Sequence, residues 1–504
     1  MTCPRATRSR LNRLFLWLAN SAFLFGLANL LWFALRTGTR PSRAAYPCQR
    51  AAAANGSVWL AAYVVPLLPF ARMANGRRLD RRTIIRRSVI AAVLVAAVLW
   101  VGTSPPFGAS NAGVANPAVA LLLPESRATT TPASDIFVIR DVTPEDCGVP
   151  ALIELMAANG IAFYRSASAG PACDSDGLIA PDDVVLLKAN CQWNQRGGTN
   201  TDLLRSLIRA ILDHPDAFTG EIVIADNGQD QYGSAGKGGS FTWTKSNAED
   251  RTQSVQAVAD AFAESHAVST YLWDAITRTE VDEYNAGDMA DGYVLERPID
   301  SRTNAYVCYP KFRTAHGTYV SFKHGVWDPA SGVYDSDRLK LINVPVLKPH
   351  AIYGVTASVK HYMGVTSDKL TRQHGGRAHN TIAQGGMGTL MSGARFPDLN
   401  ILDAIWVALK PGNGPAVYDR SATALGIVAA STDPVALDVW AAKHVLMQGA
   451  TQAGNSSGAF DPDASRPGAS TFARYLNATA RILQEDGFSV TTDEDAMNVF
   501  VSGS

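Results

Sequence analysis

Residues 14–35 form an apolar run without a single charge. At about 1.5 Å rise per residue such a run is long enough to cross a hydrocarbon core. A chain that carries it must place its later residues on one side of a membrane or the other. Arg5, Arg8, Arg10 and Arg13 precede the run, and shorter apolar runs come after it at about 57–74 and 88–103. A cleaved signal peptide fits less well. The run is long for that purpose, its end lacks a small-residue cleavage site, and two more apolar runs succeed it. The second and third runs read either as spanning or as interfacial helices. The loop between them holds Arg77, Arg78, Arg81, Arg82, Arg86 and Arg87, which should stay cytoplasmic. Arg36, Arg40, Arg43 and Arg50 in the first loop oppose that orientation. If the third run spans, the rest of the chain lies outside. The expectation is a bacterial-type multi-pass protein of the cell (inner) membrane, with three N-terminal transmembrane helices and an extracytoplasmic C-terminal domain.

The formal net charge of zero hides a split. Residues 1–110 hold 15 Arg, no Lys and one acid, Asp80, whereas the remainder carries 30 Lys plus Arg against 44 Asp plus Glu. Basic residues flank the apolar runs and the globular part is acidic, which argues against nucleic acid as a partner. Residues 104–134 have a linker composition rich in Pro, Ala, Ser and Thr, although 119–123 could dock on a partner or on the membrane. Cys147, Cys173, Cys191 and Cys308 lie beyond it. An oxidising compartment would permit disulfides among them. No CxxC or similar close spacing occurs, so neither an iron–sulfur cluster nor a structural zinc site is signalled.

From residue 135 to 504 strand and helix patterns alternate. Strands are expected at 136–140, 161–164, 184–187, 221–225, 341–347, 401–407 and 424–429. Helices are expected at 148–159, 202–212 (capped by Thr199 or Thr201), 254–263, from Pro434 to about 446 with Asp433 as cap, and 470–484. The middle, 226–337, reads as less regular. This order predicts an α/β fold: a mainly parallel sheet with helices on both faces.

Open α/β sheets bind ligands beyond the carboxyl ends of their strands. The strand at 341–347 delivers Lys348 and His350 there, and Lys360 and His361 about one helical segment later. Six of the nine histidines fall between His316 and His379. Lysines can act as point charges for phosphate or carboxylate. His350 and His361 are candidate acid–base groups or metal ligands, although their spacing matches no short metal motif. Paired surface lysines and capping histidines are the bland alternative. Lys188 and Asn190 end one strand and Asp226 another. Gly197-Gly198-Thr199 precedes a helix, where backbone N–H groups can face an anion; a plain capped turn has the same pattern. The stretch DNGQDQYGSAGKGGS at 226–240 is no Walker A motif, because Gly238 stands after Lys237 where Ser or Thr belongs. His374, Arg377 and His379 sit in a glycine-rich stretch that suits a loop over a site, and with Lys348, Lys360 and Arg372 would form a cationic pocket. Gly412-Asn413-Gly414-Pro415 reads as a sharp turn. Asp438 could face the site or the surface. Cys191 is a candidate nucleophile, though a disulfide or a buried thiol is the simpler reading.

VVLLKAN (184–190), GGTNTDLLRSLI (197–208), EIVIADNG (221–228), INVPVLKPHAIYGVTASVKHYMG (342–364), ILDAIWVALKPGNGP (401–415) and STDPVALDVWAAK (431–443) together resemble the family called domain of unknown function 362, over residues 135–450. The resemblance implies an α/β fold without an assigned activity. Many relatives carry a ferredoxin-type cysteine cluster, which this chain lacks. The family's usual Lys-Pro-Asn is here Lys188-Ala189-Asn190.

The reading that results is an enzyme acting on an anionic small molecule or envelope component. His350 or His361 would be the acid–base group. Lys188, Asn190, Gly198, Thr199, Asp226, Lys348 and Lys360 would bind the ligand. A non-catalytic anion-binding or scaffolding module at the membrane is the alternative, and a thiol redox protein using Cys191 a weaker one. Substrate, cofactor, metal and oligomeric state stay open.

Overall fold

The computed structural model describes residues 119–130, 133–228, 247–250 and 252–503. The three apolar runs, most of the expected linker and most of the glycine-rich stretch after Asp226 lie outside the described residues. The chain divides into Met1–Ala115 and Asn116–Ser504, and the second unit is the one described. Among the described residues no helix is long and apolar enough to cross a membrane.

In chain order the strands are β1 (Ser134–Arg140), a short pair β2 (Tyr164–Arg165) and β3 (Cys173–Asp174), then β4 (Val184–Lys188), β5 (Glu221–Asp226) and β6 (Val268–Leu272). Next come β7 (Gly292–Leu295), β8 (Cys308–Arg313), β9 (Tyr319–Ser321), β10 (Gly325–Asp328) and β11 (Val333–Asp335). The series ends with β12 (Leu339–Asn343), β13 (Lys348–His350), β14 (Gly354–Thr356), β15 (Leu399–Ala408), β16 (Ala422–Ser431) and β17 (Met497–Gly503).

One sheet of eight strands runs β17-β1-β16-β15-β12-β4-β5-β6. Only β16 lies antiparallel to its neighbours, β1 and β15. The fold is therefore α/β with a mainly parallel, mixed sheet. The core arises from the period of two along each strand. Ile136, Val138, Val184 and Leu186 face one apolar layer, while Phe137, Ile139, Val185 and Leu187 face the other. Strands covered on both faces carry near-continuous apolar runs, as VVLLK of β4 does. Helix Thr201–Leu212 buries Leu203, Leu204, Leu207, Ile208 and Ile211 on one face. Helices Pro434–Ala441 and Thr471–Glu485 cover the opposite one.

Several sequence expectations need correction. The strand at 161–164 shrinks to β2, which pairs with β3 outside the main sheet. The irregular middle contains a five-stranded antiparallel sheet, β11-β10-β9-β8-β7. Its strands are three to six residues long, too short for a periodic signal. An aromatic group holds them together: the Tyr284 ring packs on Tyr319, Trp327 and Tyr334, with Lys311 Nζ 4.3 Å from its centroid. The cap of helix Thr201–Leu212 is Asn200, whose side chain accepts from Asp202 N at 2.9 Å. Thr199 and Thr201 cannot cap, because their hydroxyls bond Val344 O and Gln253 O. Residues 119–123 pack on the domain's own core through Val119, Leu121 and Leu123.

Asp433 caps helix Pro434–Ala441 as its sequence suggests, accepting from Val435 N and Ala436 N. Its other oxygen accepts from Ser134 Oγ and from Thr491 N at 2.8 Å, tying together both ends of the domain. Asp433→Ala removes a cap and leaves buried donors unsatisfied. It should cost about 2 kcal/mol or more, read as a lowered urea midpoint; an unchanged midpoint would contradict this role.

Candidate functional site

Register brings the carboxyl ends of three strands together. Asn343 of β12 lies opposite Lys188 of β4, and Lys188 opposite Ala225 of β5, so Asp226 stands one residue further along. Lys188 Nζ donates to Asp226 Oδ1 at 2.7 Å and to Ala189 O at 3.1 Å. Both partners of this ion pair are buried. The second oxygen, Asp226 Oδ2, accepts from Cys191 N at 2.7 Å. Gly364 lies against the pair, and a methyl group there would overlap Asp226 Oδ1 and Lys188 Nζ. Asn227 N donates to Gly364 O at 3.0 Å. Close backbone approach is what this glycine provides.

The turn before helix Thr201–Leu212 is pinned from within. Asn190 N donates to Thr199 Oγ1 at 2.8 Å, and Thr199 Oγ1 donates to Val344 O at 2.7 Å. Thr199 N donates to Asn190 O at 3.0 Å. Gly197 N donates to Asn247 Oδ1 and Asn200 N to Asp403 Oδ2. The backbone donors that suggested an anion cradle are thus engaged at Gly197, Thr199 and Asn200. Gly198 is packed against Asn190 O and Trp193 O, where a Cβ would not fit.

β12 ends at Asn343, earlier than its apolar run. The next residues stay extended, with Leu347 N donating to Asp403 O at 2.8 Å. They lead into the hairpin β13–β14, in which Lys348 faces Thr356 and His350 faces Gly354. Lys348 Nζ turns inward and donates to Gly197 O and, at 3.3 Å, to Asn190 Oδ1. His350 Nδ1 accepts from Ile352 N and Tyr353 N, both at 3.1 Å, so its proton belongs on Nε2. The turn at 412–415 latches the hairpin: Ala351 N donates to Gly414 O at 2.7 Å, and Tyr418 Oη to Pro349 O at 3.2 Å.

The short helix Ser358–His361 supplies the other two side chains. Asp438 holds its start, accepting from Ser358 N at 2.7 Å and Val359 N at 3.0 Å. This carboxylate is fully buried and does not face the surface. Lys360 Nζ stands 5.4 Å from the Tyr353 ring centroid, within range of a cation–π contact. His361 Nδ1 lies 2.7 Å from Asn343 Oδ1. His374, Gly375, Gly376 and Arg377 form a turn, as expected, between the short helices Asp368–Gln373 and Ala378–Thr381. His379 Nδ1 lies 3.1 Å from Asp368 Oδ1 and borders the cluster. His374 does not; it turns to Glu280 at 2.8 Å. Arg377 pairs with Asp368, and Arg372 is exposed.

Burial is the main cause of the unusual electrostatics. It pushes the Lys348 ammonium down from 10.5 to about 7, reinforced by the Lys360 charge. Lys360 falls to about 8 for the same reason, opposed by Asp368. Burial and the Lys360 charge keep His350 neutral. Burial, then Lys188 and Lys348, keep His361 neutral. Burial drives Lys188 down and Asp226 up, each held back by the other. Cys191 is a buried, unbridged thiol pushed up by burial and then by Asp226, the wrong direction for a nucleophile. Cys147, Cys173 and Cys308 are unbridged too. No group of three His, Cys, Asp or Glu that could hold a metal occurs among the described residues.

Lys188, Asn190, Asp226, Lys348, His350, Lys360 and His361 therefore converge, while Gly198 and Thr199 shape the wall behind them. Sequence reading missed Asn343, Tyr353, Asp368 and Asp403. Asn343 and Tyr353 lay inside the most informative stretch, but nothing local marks an Asn at a strand end as a partner of a histidine 18 residues on.

Lys188→Met would strand the Asp226 carboxylate in a dry interior. The expected loss is about 3–5 kcal/mol, measured by chemical denaturation. Lys188→Met/Asp226→Asn should recover much of it, since the amide oxygen can still accept from Cys191 N. Equal losses in the single and double variants would show that the charge pairing is not what matters.

No curated protein and no solved structure matches the chain. The sequence model of the family described as Domain of unknown function (DUF362) matches residues 314–443. That span holds Lys348, His350, Lys360 and His361; the earlier strand ends with Lys188, Asn190 and Asp226 precede it. Residues 314–443 are thus a DUF362 domain, whose sequence carries the hairpin and the short helix of the site.

Proposed function

We propose that this chain is an enzyme that binds an anionic small molecule or envelope component between Lys348 and Lys360, with His361 or His350 as the acid–base group. One observation carries the reading. Lys360 is only 4 % exposed, and among the described residues its ammonium has no hydrogen-bond acceptor. It faces an aromatic ring and repels Lys348. Two desolvated ammonium groups held near one another are costly unless something neutralises them. An oxyanion lying between them would supply the acceptor that Lys360 lacks and restore both charges. The neutral histidines at their side can exchange protons with such a ligand. A binding module without turnover would need the same lysines but neither imidazole. His361→Gln and His350→Gln separate the two readings: the enzyme loses conversion and keeps binding, whereas the module binds unchanged and the unmodified chain shows no conversion.

The proposal extends to place. Anchored by the apolar runs before residue 104, the α/β domain would act outside the cytoplasm, with the membrane as a partner. A reporter active only outside the cytoplasm, fused after residue 504, should be active; a silent fusion in a well-expressed chain rejects this topology.

The lysines give the binding prediction. Phosphate or pyrophosphate should bind the full-length chain in detergent, with proton uptake at pH 8, because binding raises the pKa of both groups. Lys360→Met should weaken binding about tenfold or more, as the loss of a charge-assisted bond implies. Calorimetry in two buffers of different ionisation enthalpy reads both effects. Unchanged affinity in Lys360→Met would sink the site.

Stability gives the second check. The folded-state values of about 7 and 8 lie below 10.5. Between them the unfolded chain binds more protons, so these groups make stability rise with pH across about 7 to 10.5. Lys348→Met/Lys360→Met should flatten that rise; an identical slope would rule out the depressed lysines.

A further inference from the structure

His361 is held by a relay that runs across the adjacent strands β12, β15 and β16. Asn400 Nδ2 donates to Ser431 O at 3.2 Å, which leaves Asn400 Oδ1 as an acceptor. That oxygen accepts from Asn343 Nδ2 at 2.9 Å, and Asn343 Nδ2 also donates to Ser358 O at 3.2 Å. Both backbone carbonyls can only accept, so neither amide is free to turn over. Asn343 Oδ1 is left facing His361 Nδ1 at 2.7 Å. A bond of that length to a carbonyl oxygen requires the ring proton on Nδ1. All members of the relay are buried.

We infer that Asn343 and Asn400 are positioning residues that hold His361 as the Nδ1–H tautomer, leaving the buried Nε2 with a free lone pair. Nε2 has no hydrogen-bond partner in good geometry. Lys188, Lys348 and Lys360 are the charges that act on the ring. The two imidazoles at the site have opposite polarity, since His350 uses Nδ1 as an acceptor and keeps its proton on Nε2. His361 can therefore take a proton from a ligand held by the lysines but cannot give one first, so it is the base and His350 the donor. This assignment rests on the proposed anion site. The ring state beneath it does not.

One competing arrangement exists. The Ala189 carbonyl also lies beside the ring and would favour a proton on Nε2. Taking it would require Asn343 to turn over, setting its oxygen against Ser358 O and Asn400 Oδ1. It would exchange two made bonds for two repulsions, and the relay wins.

The test is a long-range ¹H–¹⁵N correlation spectrum of the full-length chain in detergent, labelled on histidine, with His361 assigned by the loss of its signals in His361→Gln. The expected pattern is a protonated Nδ1 and an unprotonated Nε2 shift. Asn343→Leu, which removes the acceptor facing Nδ1, should shift it toward the Nε2–H pattern. An Nε2–H pattern in the unmodified chain overturns the inference even if no variant folds. So does an unchanged pattern in a folded Asn343→Leu. If the tautomer is as expected but phosphate does not bind, the relay stands and the anion site falls.

Discussion

The contact between Lys188 and Asp226 is the one on which the site depends. It joins two adjacent strand ends inside a dry interior, at 2.7 Å. A buried ion pair gains little over apolar packing and is costly to break. Its value here lies in geometry. Asp226 spends its second oxygen on the Cys191 amide, which turns the chain after β4 toward the Gly197 turn. That turn offers Gly197 O and Asn190 Oδ1 to Lys348. The backbone at Gly364 then closes over the pair, and so fixes where the short helix with Lys360 and His361 ends.

Around that pair the polar groups sort into two kinds. Thr199, Asp403, Asp433 and Asp438 are saturated by backbone donors or acceptors and serve as fasteners. Asp403 and Asp438 are nevertheless pushed up by burial, to about 6 and about 7, so a perturbed carboxylate is no sign of chemistry in this fold. Lys360 Nζ and His361 Nε2 are of the second kind. Lys360 belongs to a buried residue and faces the Tyr353 ring, and His361 Nε2 is buried without a hydrogen-bond partner, which is costly for a folded protein to maintain.

The β4, β5 and β15 cores were legible because both-face burial demands continuous apolar runs, and VVLLK, EIVIAD and LNILDAIWVA comply. Lys188 and Asp226 were legible as strand-end residues, but not as a pair, since they come together 38 residues apart. The antiparallel sheet from β7 to β11 was not legible, because its short strands are stabilised by aromatic contacts such as Tyr284 on Trp327 rather than by alternation. Asp438 was ambiguous for a similar reason: its partners, Ser358 N and Val359 N, are backbone groups 79 to 80 residues away and leave no trace in side-chain pattern.

By itself the sequence determined the α/β class, the strand ends at which Lys188 and Asp226 sit, and the enrichment of cations and imidazoles between 316 and 379. Those features come from local period and composition, which any short window carries. Only the tertiary structure decided which cations meet, that the Gly197 and Thr199 amides are engaged, and which nitrogen of His361 bears the proton. These depend on register between strands far apart in the chain and on the direction of hydrogen bonds. A single orientation of the Asn343 amide reverses the polarity of the imidazole while leaving every letter of the sequence unchanged.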